Sequence, residues 1–233
     1  MTRHELKEQL QHDAFRDNVD FAVGYAAAHR KQVLRGVAIL LAVLAIAGLS
    51  YAVYQYQKSQ RQQALSAALT IAEAPVTTEP NQIGKAFANQ QTKDLAAIKA
   101  MSDVAAKYNG TEEGDAAQYY LAGLQANQGK YSEAEKNLKA VSDSRSSFSA
   151  LAKVALAQLY TGEGKTGQAK TILEGLVSHP TALVSREQAT ILLANAVKTS
   201  DPKRAKQLLE SLKKPDERPA VERAANQSLE NVK

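Results

Sequence analysis

The chain has 233 residues, a formal net charge of +5, and neither cysteine nor tryptophan. Without thiols it can build no disulfide framework, thiolate metal site or cysteine nucleophile. Three of its four histidines (His4, His12, His29) fall within the first 30 residues, leaving too few imidazoles beyond them for a histidine-based metal centre, and no cofactor is expected.

Residues 1–35 read as a polar arm. Phe15, Val19, Ala22, Val23 and Ala26 recur at helical spacing among Arg16, Asp17 and Asp20. That is the pattern of an amphipathic helix on a bilayer surface or a partner, and equally of a frayed arm that only supplies charge.

From Gly36 to Tyr54 the chain runs GVAILLAVLAIAGLSYAVY without a charge. As a helix this covers about 28 Å, close to the roughly 30 Å hydrocarbon core of a bilayer. Tyr51, Tyr54 and Tyr56 cluster at one end, as at a membrane–water interface. A membrane-spanning helix is predicted over 36–56, with the bilayer as one partner. Arg30, Lys31 and Arg35 before it outnumber Lys58 and Arg61 after it, which puts the N-terminus in the cytoplasm. The long charged leader, and small residues such as Ala45 and Ala47 inside the apolar stretch, indicate an uncleaved signal anchor.

Residues 57–91 read as a stalk helix and a loop. Apolar periodicity continues through Ala64, Leu65, Ala68 and Leu69 to about Glu73. Pro75 and Pro80 then break the helix, with a short turn expected around Ile83 to Phe87. Thr92 is the expected N-cap of the next helix, which would bury Leu95, Ile98, Met101, Val104, Ala105 and Tyr108 and stop at Asn109–Gly110.

Residues 92–233 are read as a helical-repeat domain. AQYYLAGLQANQGKYSEAEKNLKAV (117–141) sets against AKVALAQLYTGEGKTGQAKTILEGL (152–176) at an offset of 35. Leu121–Ala122 falls on Leu156–Ala157, Gly129 on Gly164, Ala134 on Ala169 and Leu138 on Leu173. A weaker third copy holds Leu193–Ala194, Ala205 and Leu209. In each copy a helix ends at a turn, a second starts within three residues, and alanines let the two backbones approach. One such hairpin cannot bury its apolar face alone, but stacked neighbours can. The fold class is therefore all-α, a single N-terminal transmembrane helix followed by an α-solenoid of hairpins. After Pro215 and Pro219, Ala220, Val221, Ala224 and Leu229 suggest a polar terminal helix as its cap.

The repeat pattern resembles the tetratricopeptide repeat over roughly residues 115–213. The second copy matches best, through Leu156, Ala157, Tyr160, Ala169, Leu173 and Leu176. The first departs by holding Gln125 where a large aromatic is usual. The third holds Asp201–Pro202 in place of the turn glycine. What the resemblance implies is a concave groove built from the first helix of each hairpin, toward which Tyr119, Asn127, Gln158 and Asn195 would point. Some tetratricopeptide domains grip a C-terminal carboxylate with lysine and asparagine. Here Tyr119, Gly123, Ala155, Glu187 and Ile191 stand at those positions, and none is the required cation or amide.

The whole layout, with RHELKEQL and AHRKQVL in the leader, resembles the bacterial ancillary Sec translocon subunits, the YfgM-like proteins. That resemblance implies a single-pass inner-membrane protein with a periplasmic repeat domain. Its partners would be the translocon and periplasmic chaperones, and it would link protein export to those chaperones. The alternative is a periplasmic coordinator of cell-envelope assembly or cell-wall synthesis.

No enzyme is expected. GxSxG, HExxH, GxGxxG and P-loop motifs are absent from the sequence. His179 is the one histidine outside the arm, and Glu112, Glu113, Glu133 and Glu135 read as helix-start or solvated charges. No small-molecule substrate is expected. Nucleic acid is not expected as a partner, because the 23 basic and 19 acidic residues after the apolar segment are well mixed.

Overall fold

The computed structural model describes residues 21, 23–25, 27–77, 86–213 and 219–230. Among them, nine helices carry the chain: α1 (Arg30–Glu73), α2 (Gln90–Lys107), α3 (Glu112–Asn127), α4 (Tyr131–Ser142), α5 (Phe148–Gly162), α6 (Thr166–Ser178), α7 (Arg186–Val197), α8 (Pro202–Glu210) and α9 (Pro219–Glu230). The described residues form no named strand, only an isolated parallel bridge between Val76 and Phe87. The chain divides into two compact units, residues 1–58 and 59–233. The arm positions Phe15, Val19, Ala22 and Ala26, the leader motif RHELKEQL, the turn expected from Ile83, and Pro80 and Pro215 lie outside the described residues.

The first unit contains the uncharged stretch of α1. Its leucines and isoleucines are exposed: Ile39 and Ile46 are each 65% exposed and Leu49 is 68% exposed. An 18-residue window of this helix has a mean hydropathy of 2.4, and none of it is buried, so the helix is long and apolar enough to cross a membrane.

In the second unit, the continuation of α1 packs rather than standing free. Ala64, Leu65, Ala68, Leu69 and Ala72 meet Met101 and Val104 of α2 and Ala117 and Leu121 of α3. The N-cap of α2 is Asn89, not the expected Thr92, and the helix starts earlier. Asn89 Oδ1 accepts the Thr92 backbone N–H at 2.8 Å, while the Thr92 hydroxyl donates to the Asn89 carbonyl at 2.9 Å. Asparagine caps at least as well as threonine, and here the two side chains satisfy each other's backbone. As expected, α2 closes at Asn109–Gly110, where Gly110 has φ +75°.

The two glycine turns share one backbone geometry. Gly129 and Gly164 have φ of +75° and +74°. After each, the next N–H reaches back five residues, Lys130 to the Gln125 carbonyl at 2.9 Å and Lys165 to the Tyr160 carbonyl at 2.8 Å. This is the Schellman closure, and it needs a residue without a Cβ penalty at positive φ. The third hairpin turns differently: Asp201 caps α8 by accepting the Arg204 N–H at 3.0 Å, with Pro202 in the first turn. Ala122, Ala134, Ala157, Ala169, Ala194 and Ala205 are all fully buried. They join one core that runs from Ala122 to Ala225. The adjacent Leu121 belongs to the other cluster, so α3 is a wall shared by two cores.

Candidate protein-binding groove

The first helices of the first two hairpins, α3 and α5, line a concavity of about 480 Å³. On α3, Tyr119, Gly123 and Asn127 recur every four residues and so share one face. On α5, Ala155, Gln158 and Leu159 face them, with Leu138 of α4 behind. Gly123 and Ala155 carry almost no side chain, and their smallness opens the space. No charged residue lines it. Its polar groups are two phenols and two carboxamides, and the rest is aliphatic.

Tyr119 is fixed by an aromatic cluster. Its ring lies 5.6 Å from that of Tyr120 and 5.8 Å from that of Phe148, at the tilted and edge-on angles that ring quadrupoles favour. Burial, and secondarily the neighbouring Tyr120, push the Tyr119 phenol above its usual value. It therefore stays a neutral hydrogen-bond donor at ordinary pH. Of the four residues expected at a groove, the structure brings Tyr119, Asn127 and Gln158 to this concavity. Asn195 sits half-buried on α7 and is not among the lining residues.

Polar contacts hold the walls in place. Gln125, which replaces the usual aromatic, accepts from Asn137 Nδ2 at 2.8 Å, and Gln118 donates to Asn137 Oδ1 at 3.1 Å. This amide chain ties α3 to α4 where a ring would otherwise pack. Three of the four acids read from sequence as helix-start or solvated groups, Glu112, Glu113 and Glu135, also hold other helices in place. Glu113 is buried and accepts from Arg61 Nε of α1 at 3.1 Å. Glu112 accepts from the backbone N–H of Ser147 at 3.1 Å and from its hydroxyl, pinning the entry to α5. Glu135 accepts the Tyr160 phenol at 2.8 Å and pairs with Lys139 at 2.6 Å, and Lys165 stands 3.5 Å away. The Lys139 hydrogen bond, then that of Tyr160, holds the Glu135 carboxyl down to about 2. A helix-start reading of these acids misses partners on other helices, 25 to 52 residues away in sequence. The only sequence signal for such a tie is the 35-residue spacing itself, which separates Glu112 from Ser147.

The arrangement offers hydrogen-bonding groups set in an apolar wall. His179 is exposed and forms no hydrogen bond to a serine or threonine hydroxyl among the described residues. Among those residues, no group of three or more His, Asp or Glu converges as it would around a metal.

Comparison with known families agrees with the geometry. The model of a tetratricopeptide repeat-like domain matches residues 34–182, well over half of the chain. The matched region begins inside α1 and runs through both glycine-turned hairpins. No curated protein matches the chain.

Proposed function

From the chain's membership of the tetratricopeptide repeat-like domain family, we propose that it is a membrane-tethered protein-interaction module. Residues 36–56 hold it in a bacterial inner membrane, with the N-terminus in the cytoplasm and the repeats in the periplasm. There it serves as an ancillary translocon subunit that links protein export to periplasmic chaperones.

The observation that carries this reading is the uncharged concavity between α3 and α5. Its phenols and carboxamides suit hydrogen bonds to a peptide backbone, and its aliphatic walls suit apolar side chains. With no cation at hand, it is poorly suited to a C-terminal carboxylate, which requires charge-assisted donors. The exposed apolar face of α1 supports the tether, because a bare helix of that length loses its unfavourable water contact only by entering lipid or a partner.

The test is photocrosslinking in bacterial cells from positions Tyr119 and Gln158, with the captured proteins identified by mass spectrometry. Translocon or periplasmic chaperone components are expected. Capture of cell-wall enzymes alone would replace this reading with the coordinator of envelope assembly.

A further inference from the structure

We propose that a second face of the repeat stack, the groove between α4 and α6, docks an acidic amphipathic segment of a partner protein. This groove has a volume of about 1080 Å³ and is floored by Leu156, Ile172 and Leu176. It uses a different face of α5 from the Tyr119 concavity: Lys153, Leu156 and Tyr160 here, against Ala155, Gln158 and Leu159 there. The corresponding groove one repeat on, between α6 and α8, has only about 260 Å³. Its lining sets Lys170 and Arg204 against Glu174 and Asp201, so it is smaller and carries no net charge.

The aliphatic half of the occupant follows from Leu183, which is 47% exposed at the rim. Its exposure is built in. The Thr181 N–H donates to the Val184 carbonyl at 2.9 Å, and the Val184 N–H donates to the Thr181 hydroxyl oxygen at 3.1 Å. Val184 is fully buried, so this closed turn holds Leu183 outward, next to the apolar floor.

The sign of the occupant's charge follows from the cations. Lys139, Arg145 and Lys153 line the groove against one carboxylate, Asp143. Lys139 is engaged by Glu135, but Arg145 and Lys153 have no acidic partner among the described residues. The serines between α4 and α5 do not compete for the role. The Ser142 and Ser149 hydroxyls donate to the carbonyls of Lys139 and Ser142, and those of Ser144 and Ser146 bond each other. A segment with aliphatic side chains on one face and carboxylates beside them complements both halves of the groove.

The test uses the full chain in zwitterionic nanodiscs. The probes are two labelled 14-residue peptides with leucine at every third or fourth position, one filled with glutamate and its twin with lysine. Fluorescence anisotropy is expected to show binding of the glutamate peptide. The lysine twin, or the glutamate peptide on the Arg145→Glu/Lys153→Glu variant, should bind about tenfold more weakly. Leu183→Ser should weaken binding as well, while Tyr119→Ala should leave it unchanged. Equal affinity for both peptides would overturn the proposal, as would indifference to the charge reversal. Displacement of the peptide by phosphatidylglycerol vesicles would also overturn it, in favour of a lipid surface. Because the concavity reading is probed at Tyr119 and this one at Arg145 and Lys153, either can fail alone.

Discussion

Arg61 Nε, on the continuation of the apolar helix, donates to Glu113 Oε2 at 3.1 Å across 52 residues of sequence. Both side chains are nearly buried, 14% and 9% exposed. Desolvating two charges roughly cancels their attraction, but stranding one of them does not cancel. Arg61→Ala, which leaves the buried Glu113 carboxylate without its guanidinium, should therefore cost about 3 kcal/mol of unfolding free energy, and Glu113→Ala should also destabilise. Arg61→Met with Glu113→Leu should recover most of that loss. Denaturant unfolding of the full chain in detergent measures all three, and a double variant as unstable as the sum of the singles would sink this account.

Gly114 lies in the first turn of α3, against the end of α2. A Cβ there would stand 2.0 Å from the Tyr108 carbonyl oxygen, and neither backbone can yield cheaply. Gly114→Ala should destabilise by about 1–3 kcal/mol, as overpacking does. Gly123→Ala meets nothing within 4 Å. It should stabilise by about 0.5–1 kcal/mol through helix propensity, while narrowing the concavity. Thermal melts should shift in opposite directions for the two variants.

The Glu135 carboxyl, held down to about 2 chiefly by Lys139 and then by Tyr160, makes stability depend on acid. A carboxyl whose folded value lies below its unfolded value stabilises the fold above the unfolded value. That contribution is lost as pH falls from about 4.5 towards about 2. Wild type should lose melting temperature more steeply across this window than Glu135→Gln, which has nothing to protonate there. Parallel curves for the two proteins would reject the tie between α4 and α5.

The tether can be tested without a partner. Leu41 and Leu44 are exposed midway along the uncharged stretch of α1. Arginine at a bilayer centre costs about 2.5–3.5 kcal/mol on insertion scales. Leu41→Arg with Leu44→Arg should move the chain from the membrane to the soluble fraction of a cell lysate. Glutamine at both positions should do so far less.

The concavity predicts its own substitutions. Tyr119→Ala removes an aromatic anchor that is cross-braced by Tyr120 and Phe148, and Gln158→Ala removes a carboxamide at the open edge. Tyr119→Ala should abolish most crosslinking from Gln158, because buried aromatics dominate such surfaces. Gln158→Ala should reduce it only mildly when the crosslinker sits at Asn127. Equal effects would show that the groove does not bind through Tyr119.

The chain by itself determined whatever depends on local chemistry. An uncharged run of 19 residues can only be an exposed apolar helix or a buried one. Glycine at the end of a helix can take the positive φ that closes a Schellman turn, so Gly129 and Gly164 mark the hairpins at their spacing of 35. Alanine at matching positions marks where two backbones meet. The tertiary structure alone decided which polar groups lose water and to whom they bond. Arg61 finds Glu113, Tyr160 finds Glu135 and Ser147 finds Glu112 because stacking brings separate hairpins together, and no local pattern encodes those distances. For the same reason it drew Tyr119, Asn127 and Gln158 to one concavity and left Asn195 outside it. A register on one helix says which way a side chain faces, and only the packing of neighbouring helices says what it faces.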